Sequence, residues 1–512
     1  MPPSNELKPT LHVTGRKRWQ NWHENFEQPL KQLIDVWNAR PEVADVKGYN
    51  ATTKGLQEVI ADALRNGDSV RALGGGWSFS PVAATDGILL NTRPLNYRFR
   101  IGGDQTHPGY GGDATDLVFV QCGTSIADLN GYLKGEGKSL KTSGASNGQT
   151  IAGALSTGTH GAALDVGAIQ DYVVALHLIV SPDRTVWLER ASDPVVADAL
   201  PNMLGAEIIR NDDLFKAALV SFGSFGIIHG VVIEATTLFF LQAYRQLMPL
   251  DQRLWKAIDG LDFADITLPR PSNERPFHFQ VVINPYDVAG GAYVTVMYKD
   301  SSPAADCEAP TPGSKITQGD SALEVLGVIT DMVSEVTPTA VNLLTKAVYK
   351  EYAGVCGTHE ELFTDTTTRG KAASTAMGVP LGHVRNAVEI VLRLIDEHPA
   401  PALVALRYVR ASDGTLAFTS HQPHTCVLEI DGPRSRRVTT LYRRAWRALD
   451  EAGIPYTFHW GKMNHLDANR VRKIYGDARV DAWIDARRTL LTTSDLRRVF
   501  ANDFLKRLGM DD

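Results

Sequence analysis

The sequence predicts an α+β fold with mixed sheets rather than a strict alternation of strands and helices. Three observations support this prediction. The 512 residues allow two or three domains, since an average domain has roughly 150 residues. Short runs of β-branched residues and amphipathic segments follow one another in no regular order. The character of the sequence also changes near residue 240, after which strands and helices mix.

Before residue 240, the hydrophobic periodicity predicts short strands around a few helices. Residues 19–36 have apolar side chains at near-helical spacing. The clearest helix covers residues 51–65, which Thr52 or Thr53 can cap. The other elements predicted here are strands at 69–73, 87–91, 117–122, 173–180, 185–189 and 227–237, and a helix at 125–134.

After residue 240, the same patterns predict strands interleaved with longer helices. The strands are predicted at 277–284, 292–298, 403–409 and 425–430. The helices are predicted at 320–333, 383–398 and 438–452, and a helical tail follows residue 462.

The composition is that of a soluble globular enzyme. Hydrophobic residues make up 43% and charged residues 21% of the chain, and the net charge is −6. This mild acidity gives no electrostatic reason to bind nucleic acid or an anionic membrane. The N-terminus lacks the apolar core of a secretion signal, and the most apolar stretch, residues 222–241, is interrupted by glycines, a histidine and a glutamate. We therefore expect a cytoplasmic protein.

The cysteine spacing also favours the cytoplasm. Cys122, Cys307, Cys356 and Cys426 are widely spaced, and no pair has the C-x-x-C spacing of a zinc or thiol-redox site. This spacing predicts no disulfide framework and a reducing environment. No H-x-x-H-type cluster indicates a metal site.

A glycine-rich turn follows the strand at 69–73, in the sequence VRALGGGWSFS (residues 70–80). A dinucleotide-binding fingerprint needs a helix directly after its glycines. Here Trp77 and Phe79 crowd that position, and the next regular element is a strand. The pattern predicts a turn between two strands whose consecutive N–H groups can bind phosphate. The alternative is a tight, hairpin-like turn that only needs a positive φ.

Two further glycine-rich stretches strengthen the phosphate interpretation. The segment SGASNGQTIAGALSTGTHGAA (residues 143–163) has few large side chains, which predicts that something bulky lies against its backbone. Residues 150–156 can form helical turns that present their N-terminus to phosphate. The alternative is a small-residue packing interface between sheets. Together with FGSFGIIHG (residues 222–230), these stretches fit one extended, phosphate-containing ligand.

These residues resemble the FAD-binding domain of the vanillyl-alcohol oxidase (PCMH-type) superfamily. Within it, the chain looks like the sugar-lactone and alditol oxidase branch, which includes gulonolactone and D-arabinono-1,4-lactone oxidases. The similar pieces occur in family order along nearly the whole chain: WQNW (19–22), VRALGGGWSFS, the block at 143–163, FGSFGIIHGVVIEA (222–235), LRYVRASDGTLAFTS (406–420) and FHWGK (458–462).

The resemblance implies a two-lobed FAD-binding PCMH-type domain with mixed sheets over residues 1–238, completed by residues 453–512. Residues 239–452 would form a substrate-binding cap domain with a large antiparallel sheet flanked by helices. The implied reaction is oxidation of a CH–OH group of a small alcohol, polyol or sugar lactone by hydride transfer to flavin N5. O2 would then reoxidise the flavin and release H2O2.

Two departures from the family pattern change these expectations. Many relatives carry a histidine directly after the glycines, bonded covalently to the flavin, but this chain has Trp77. We therefore expect FAD to be bound non-covalently. The branch often has a glutamate that binds substrate hydroxyls two residues before the arginine of its L-R motif, but this chain has Ala405 before Arg407. This loss favours a less polar alcohol, such as a sterol or an aromatic alcohol.

The resemblance also implies catalytic roles. Lys462 would lie near the flavin N1–C2=O edge, where a cation stabilises the reduced ring; a surface lysine is the alternative. Arg407 would be the active-site arginine of the cap sheet, unless it only forms an ion pair with Glu429 or Asp431. His459, with the nearby His465, would serve as base or substrate donor, unless both are structural.

The expected cofactor-binding residues come mainly from the three glycine-rich stretches. They are Gly74, Gly75, Gly76, Trp77, Ser78, Phe79, Ser143, Gly144, Ala145, Ser146, Gly148, Thr150, Gly153, Thr157, Gly158, His160, Gly161, Gly226, Ile228 and Lys462.

The electron acceptor is open at this stage. The small residues Gly144 and Ala145 would leave O2 a path to the flavin, which favours an oxidase. A dehydrogenase that uses another acceptor is the first alternative. A flavin-fold protein that binds its ligand without redox turnover is the second.

Overall fold

The computed structural model describes residues 7–8, 10–271, 273–305, 307–310, 338–363, 370 and 372–512. Within them, helices and mixed sheets occur together, so the predicted α+β class is confirmed. The helix predicted at 320–333 and part of the segment before it lie outside the described residues.

Residues up to 237 form two main sheets with helices packed against them. The strands are β1 (Thr10–Val13), β2 (Arg18–Gln20), β3 (Glu27–Pro29), β4 (Gln32–Trp37), β5 (Val70–Leu73), β6 (Ile88–Asn91), β7 (Arg98–Arg100), β8 (Leu117–Gln121), β9 (Lys138–Ser139), β10 (Val173–Ile179), β11 (Thr185–Glu189), β12 (Glu207–Arg210), β13 (Ile227–Glu234) and β14 (Thr236–Thr237). The helices are α1 (Val46–Asn66), α2 (Ile126–Gly135), α3 (Ile151–Thr157), α4 (Ala199–Met203) and α5 (Asp212–Leu219).

The two sheets differ in how their strands run. The first has the order β1-β4-β6-β5, in which β4, β6 and β5 are parallel. The second has the order β12-β11-β10-β13-β8-β7 and is antiparallel except for the pair β11–β12. Because β5 and β6 are parallel, the glycines after β5 begin a crossover connection, and a hairpin turn is excluded.

Residues 19–36, whose apolar side chains have near-helical spacing, form strands in the structure. β2 pairs with β3, and β4 lies between β1 and β6. Since β4 is covered on both faces, Leu33, Ile34 and Val36 are all buried. A strand with two covered faces loses the period of two that marks a half-exposed strand, and the sequence pattern was misleading for that reason.

Helix α1 begins earlier than predicted. The side chain of Asp45 accepts a hydrogen bond from the N–H of Gly48 (2.6 Å) and caps the helix. Thr52 and Thr53 lie inside it and donate their hydroxyls to the carbonyls of Gly48 and Tyr49. The cap is thus an aspartate ahead of the apolar stripe, and neither predicted threonine has that role.

The middle of the chain forms one eight-stranded sheet, called the cap sheet here. Its strands are β15 (Phe240–Met248), β16 (His278–Ile283), β17 (Ala292–Asp300), β18 (Tyr352–Gly357), β19 (Ala372–Pro380), β20 (Leu403–Arg410), β21 (His424–Pro433) and β22 (Thr457–Phe458). The order is β18-β15-β17-β16-β20-β21-β19-β22, with every pair antiparallel. The accompanying helices are α6 (Gln252–Gly260), α7 (Pro338–Val348), α8 (His359–Leu362), α9 (Val384–Glu397) and α10 (Arg436–Glu451).

The last residues return to the first part of the chain. They form α11 (Ala468–Tyr475), α12 (Asp477–Leu490), α13 (Ser494–Val499) and α14 (Asp503–Leu508). Trp483 on α12 donates its indole N–H to the carbonyl of Val220 (2.9 Å), and Arg487 donates to Ser224 O (3.2 Å). The predicted domain limit after residue 238 falls between β14 and β15, where the chain enters the cap sheet. The limit before residue 453 falls between α10 and β22, but β22 still pairs with β19 in the cap sheet, so the chain leaves that sheet only after β22.

The cysteine prediction is wrong for one pair. Cys307 and Cys356 form a disulfide, with their Cα atoms 5.6 Å apart. The segment around Glu308 runs beside β18 and exchanges backbone hydrogen bonds with it, which brings the two thiols together. Cys122 and Cys426 are free and buried.

Neither a membrane span nor a metal centre is found in the part of the chain that the structure describes. None of its helices combines the length and the apolar character needed to cross a bilayer. No three or more His, Cys, Asp and Glu side chains are grouped there in a way that could hold a metal ion.

Candidate active site

A deep cleft lies between the glycine-rich segments and the cap sheet. Its enclosed cavity has a volume of about 180 Å³ and opens to solvent at its mouth. The predicted residues that line it are Gly74, Gly75, Gly76, Trp77, Ser78, Phe79, Gly144, Ala145, Ser146, Thr150, Gly153, Thr157, His160, Gly226, Ile228, Arg407, His459 and Lys462.

One side of the cleft, called the glycine wall here, is formed by residues 74–79, 144–160 and 222–228. Its segments approach one another so closely that side chains are excluded. A Cβ on Gly75 would lie 2.5 Å from the carbonyl oxygen of Gly148, and one on Gly74 would overlap Thr150 Oγ1. Gly76 has a φ of +71°. These glycines are therefore required by close backbone contact and by the turn.

Four predicted cofactor residues do not line the cleft: Ser143, Gly148, Gly158 and Gly161. Gly158 ends α3 with a φ of +81°, as a left-handed C-cap. A Cβ on Gly161 would lie 2.5 Å from Ser143 O, and the hydroxyl of Ser143 donates to Asn147 Oδ1 (2.8 Å). Their observed contacts hold the glycine wall in shape.

Helix α3 confirms the short helix expected inside the second segment. Thr150 caps it, with Oγ1 accepting a long hydrogen bond from the N–H of Gly153 (3.4 Å). Both residues line the cleft. The sequence left two alternatives for this segment, a packing interface of small residues and a surface that lines a binding site. In the structure the segment both packs closely against Gly74 and Gly75 and lines the cleft.

Aromatic rings fix the start of the glycine wall. Trp77, directly after the glycines, stacks on Trp22 with ring centroids 5.5 Å apart. His23 stacks on Phe79 at 4.2 Å and meets Trp77 edge-on. Trp77 is therefore wedged between neighbouring rings while it lines the cleft.

Another part of the cleft lining is charged. Arg407 on β20, Glu429 and Asp431 on β21, and Lys462 after β22 all belong to it; these four residues are called the charged wall here. Arg407, Glu429 and Asp431 are each at most 5% exposed. Lys462 donates a hydrogen bond from Nζ to the hydroxyl of Ser374 (2.8 Å). Ser374 on β19 is the cross-strand neighbour of Asp431 on β21.

The two carboxylates of this wall have different pKa shifts. Burial raises the pKa of Asp431 to about 6, and the negative charge of Glu429 adds to the effect while Lys462 opposes it. Burial also tends to raise the pKa of Glu429, but Arg407, Lys462 and His160 together hold it below its ordinary value. Glu429 is thus ionised near neutral pH, and Asp431 exchanges its proton in a range close to neutral.

Two of the three histidines that line the cleft, His160 and His459, are neutral. Burial lowers the pKa of His160 to about 4 and that of His459 well below its ordinary value. The Nδ1 atom of His459 accepts the N–H of Gly461 (3.0 Å), which leaves its proton on Nε2. His459 is therefore arranged to donate a hydrogen bond rather than to accept a proton. His465 stacks on Trp446 and is not among the residues lining the cleft.

Glu429 and Asp431 line the cleft, although the sequence predicted them only as alternative ion-pair partners of Arg407. The signal was two acidic residues in alternation within an otherwise apolar strand, since side chains two apart share a face. Arg71 was also missed. It lines the cleft from β5 and donates to the carbonyls of Val82 and Phe500.

Comparison with known proteins gives matches over most of the chain. Residues 49–188 match the model of a family described as an FAD binding domain, and residues 277–508 match that of D-arabinono-1,4-lactone oxidase. The chain is 25% identical to L-gulono-1,4-lactone dehydrogenase of Mycobacterium tuberculosis over 463 residues, which cover 88% of this chain and 93% of that protein. It is 27% identical to L-gulonolactone oxidase of Mus musculus over 232 residues, or 45% and 43% of the two chains.

Solved structures share the fold. Cholesterol oxidase from B. sterolicum superposes with a TM-score of 0.69 over 99% of both chains at 14% identity. A xylooligosaccharide oxidase from Myceliophthora thermophila, in complex with xylobiose, gives a TM-score of 0.61 over 96% of both chains at 12% identity. At these identities the likeness concerns the fold alone.

The glycine wall fits FAD. Three consecutive glycines, Gly74, Gly75 and Gly76, line the cleft and present main chain without side chains, as a pyrophosphate bound by N–H groups would require. The cleft then continues to the charged wall, where Lys462 is held by Ser374. The dinucleotide would lie along the glycine wall, and its ring would end opposite these charges.

Proposed function

Because the chain belongs to the FAD-dependent sugar-lactone oxidases and dehydrogenases of the vanillyl-alcohol oxidase superfamily, we propose that it oxidises the CH–OH group of a small alcohol, polyol or sugar lactone. The observation that carries this proposal is that the charged wall and the glycine wall line one cleft. A cofactor cradle and a set of buried polar groups for a hydroxylated substrate thereby meet at one place.

When bound, FAD supplies the hydride acceptor, N5 of its ring. The chain supplies orientation, charge and a place for the proton. Lys462, fixed by Ser374, provides positive charge where the ring gains electrons. Arg407 and the Nε2–H of His459 donate hydrogen bonds to substrate oxygens. Asp431 holds the hydroxyl proton at Oδ1, since this oxygen is buried and has no hydrogen-bond partner within the described residues.

We propose O2 as the electron acceptor, with release of H2O2. Gly144 and Ala145 line the cleft with almost no side chain, so a diatomic molecule can pass between them and the ring. The alternative is a dehydrogenase with a non-O2 acceptor, and the mycobacterial relative is named a dehydrogenase.

One experiment tests the function and the acceptor together. Purified protein with bound FAD is mixed anaerobically with a panel of polyols, sugar lactones, sterols and aromatic alcohols, and loss of flavin absorbance is recorded. Air is then admitted and peroxide is measured. Bleaching followed by reoxidation and peroxide supports the oxidase. Bleaching that air does not reverse supports the dehydrogenase, and no bleaching by any alcohol supports a binding protein without redox turnover.

We also propose that FAD is held without a covalent bond. Trp77 stands where a histidine would make that bond, and an indole does not form it. Acid precipitation of the holoprotein should therefore release all of the flavin into the supernatant. Yellow colour retained in the pellet would contradict this, and a member of the family with the histidine serves as the positive control.

We further propose a cytoplasmic location, with no nucleic-acid or membrane partner. The net charge of −6 supports this proposal. The Cys307–Cys356 disulfide counts against a reducing compartment. Thiol labelling of the protein in intact cells tests this: labelled Cys307 and Cys356 would indicate a reducing compartment, and unlabelled ones an oxidising compartment.

A further inference from the structure

The sequence lacks a carboxylate at position 405, but the structure has one directly across the strand. Ala405 on β20 and Glu429 on β21 are Cα partners in the antiparallel register. Cross-strand partners point to the same face of a sheet, with Cβ atoms about 4.5–5.5 Å apart. Arg407, two residues along β20, shares that face. The carboxylate of Glu429 therefore occupies the space beside the small side chain of Ala405.

The environment of Glu429 is that of a ligand-binding group. Its side chain is 3% exposed and lines the cleft. Among the described residues, its Oε2 atom has no hydrogen-bond donor, and neither Nε nor Nη2 of Arg407 has an acceptor. The Oε1 atom lies 3.9 Å from Nε2 of His160, which is not a hydrogen-bonding distance.

A purely structural ion pair would have a different geometry. Arg407 Nε and Glu429 Oε2 are 3.6 Å apart, whereas a closed arginine–carboxylate pair has N···O distances of about 2.7–2.9 Å and is often bidentate. Buried donors and acceptors are costly when they make no hydrogen bond. This pair thus keeps two donors and one acceptor for something that enters the cleft between them.

We propose that Glu429 takes the place of a carboxylate at position 405 and that Glu429 and Arg407 together bind a polyhydroxylated substrate. Glu429 accepts hydrogen bonds from hydroxyls next to the reacting carbon, and Arg407 donates to a neighbouring oxygen. A sterol or simple aromatic alcohol offers one hydroxyl and would leave the buried carboxylate unpaired. The inference rests on the proposed function and narrows its substrate class to polyols and sugar lactones.

This inference reverses an expectation from the sequence. Ala405 favoured a less polar alcohol because the sequence was compared position by position along one strand. The register of the cap sheet places a carboxylate in the same region from the neighbouring strand. The polarity of the site is therefore retained although the residue at 405 is not.

The test uses the best polyhydroxylated reductant of the alcohol panel and its monodeoxy analogues with three holoprotein variants. These are Glu429→Ala, the double variant Ala405→Glu/Glu429→Ala, and the control Glu389→Gln, which removes an exposed carboxylate on α9. Glu429→Ala should lower kcat/KM for the parent compound by about 10- to 100-fold, the size expected for a hydrogen bond to a charged group. For one deoxy analogue the same substitution should have little further effect. The double variant should recover much of the loss, and the control should match the wild type.

Three results would overturn the inference. The first is an equal loss for the parent and for every deoxy analogue, which would make Glu429 a structural partner of Arg407. The second is a double variant that binds FAD and melts like the wild type but recovers nothing. The third is bleaching only by sterols or aromatic alcohols. That result would support oxidation of an alcohol but would contradict polyols and sugar lactones as the substrate class. If no alcohol bleaches the flavin, the proposed function fails. The inference about Glu429 is then tested by the dissociation constants of polyols and their monodeoxy analogues, measured for each variant from the shift of the flavin spectrum.

Discussion

The two walls of the cleft differ in what they present to a ligand. At Gly74 and Gly75 the glycine wall presents main chain, because its closely packed segments exclude side chains there. The charged wall presents four ionisable side chains from two strands, β20 and β21, and from the segment after β22. A backbone cradle suits a ligand that never changes, such as a cofactor, while side chains suit a ligand that varies between relatives. The difference indicates which wall determines the substrate.

The largest effect is expected on the charged wall, at Lys462. Lys462→Met should slow flavin reduction by about 10²- to 10³-fold, the usual loss when a group that stabilises developing negative charge is removed. Substrate dissociation constants should change much less. Stopped-flow absorbance of the flavin measures both quantities.

The matched control for that variant is Lys256→Met, since Lys256 is a surface residue paired with Asp265. It should reduce its flavin at the wild-type rate. An unchanged rate in Lys462→Met would remove this residue from the site and leave the charged wall without a redox role.

A smaller effect is expected on the glycine wall. In Gly75→Ala, the new methyl group would lie 2.5 Å from the carbonyl of Gly148, so the two segments must separate. Overpacking of this kind costs about 1–3 kcal/mol, which corresponds to roughly 5- to 150-fold weaker FAD binding. Titration of the apoprotein with FAD, followed by flavin fluorescence, measures it.

Gly135→Ala is the control for the glycine wall, because nothing lies within 4 Å of a Cβ at that position on α2. Its FAD affinity should equal that of the wild type. If Gly75→Ala also binds FAD normally, the close approach of the two segments does not determine cofactor binding, and the contrast between the walls is lost.

The smallest effect concerns pH and sharpens the role of Asp431. Burial raises the pKa of this carboxyl to about 6, so the form that accepts a proton is lost as the pH falls through that value. Flavin reduction should therefore slow by about tenfold per pH unit below 6 and level off above 7. In Asp431→Asn, the rate should be low and should no longer vary in this range. A variant that keeps the wild-type pH profile would assign the titration to another group.

The sequence predicted the glycine wall well because each of its segments is continuous. Gly74, Gly75 and Gly76 are adjacent in the chain, so the cluster is visible without knowledge of the fold. The same holds for Lys462 and His459, which share one short motif. Four strands of the cap sheet, β16, β17, β20 and β21, were also predicted from their β-branched runs. The sequence patterns did not predict β15, β18, β19 or the two-residue strand β22.

The charged wall was harder to predict because it depends on register. Glu429 faces Ala405 only through the pairing of β20 with β21, and a shift of one residue would turn it to the other face. Likewise, Asp45 caps α1 from a position ahead of the apolar stripe, and the two covered faces of β4 conceal its period. In each case the missing information was a long-range contact.

The segment from β22 to Met463 has a consequence for how new substrate preferences arise. The N–H of His459 donates to Ala376 O (3.0 Å) and that of Met463 to Ser374 O (2.9 Å), both on the cap sheet. The carbonyl of Gly461 accepts the N–H of Phe79 (2.7 Å) on the glycine wall, and Trp460 O accepts the hydroxyl of Ser80 (2.6 Å). One short strip of chain is thus fastened to both walls and holds their spacing constant. We therefore expect that side chains on β20 and β21 can be exchanged to accept another alcohol while the spacing of the two walls stays the same.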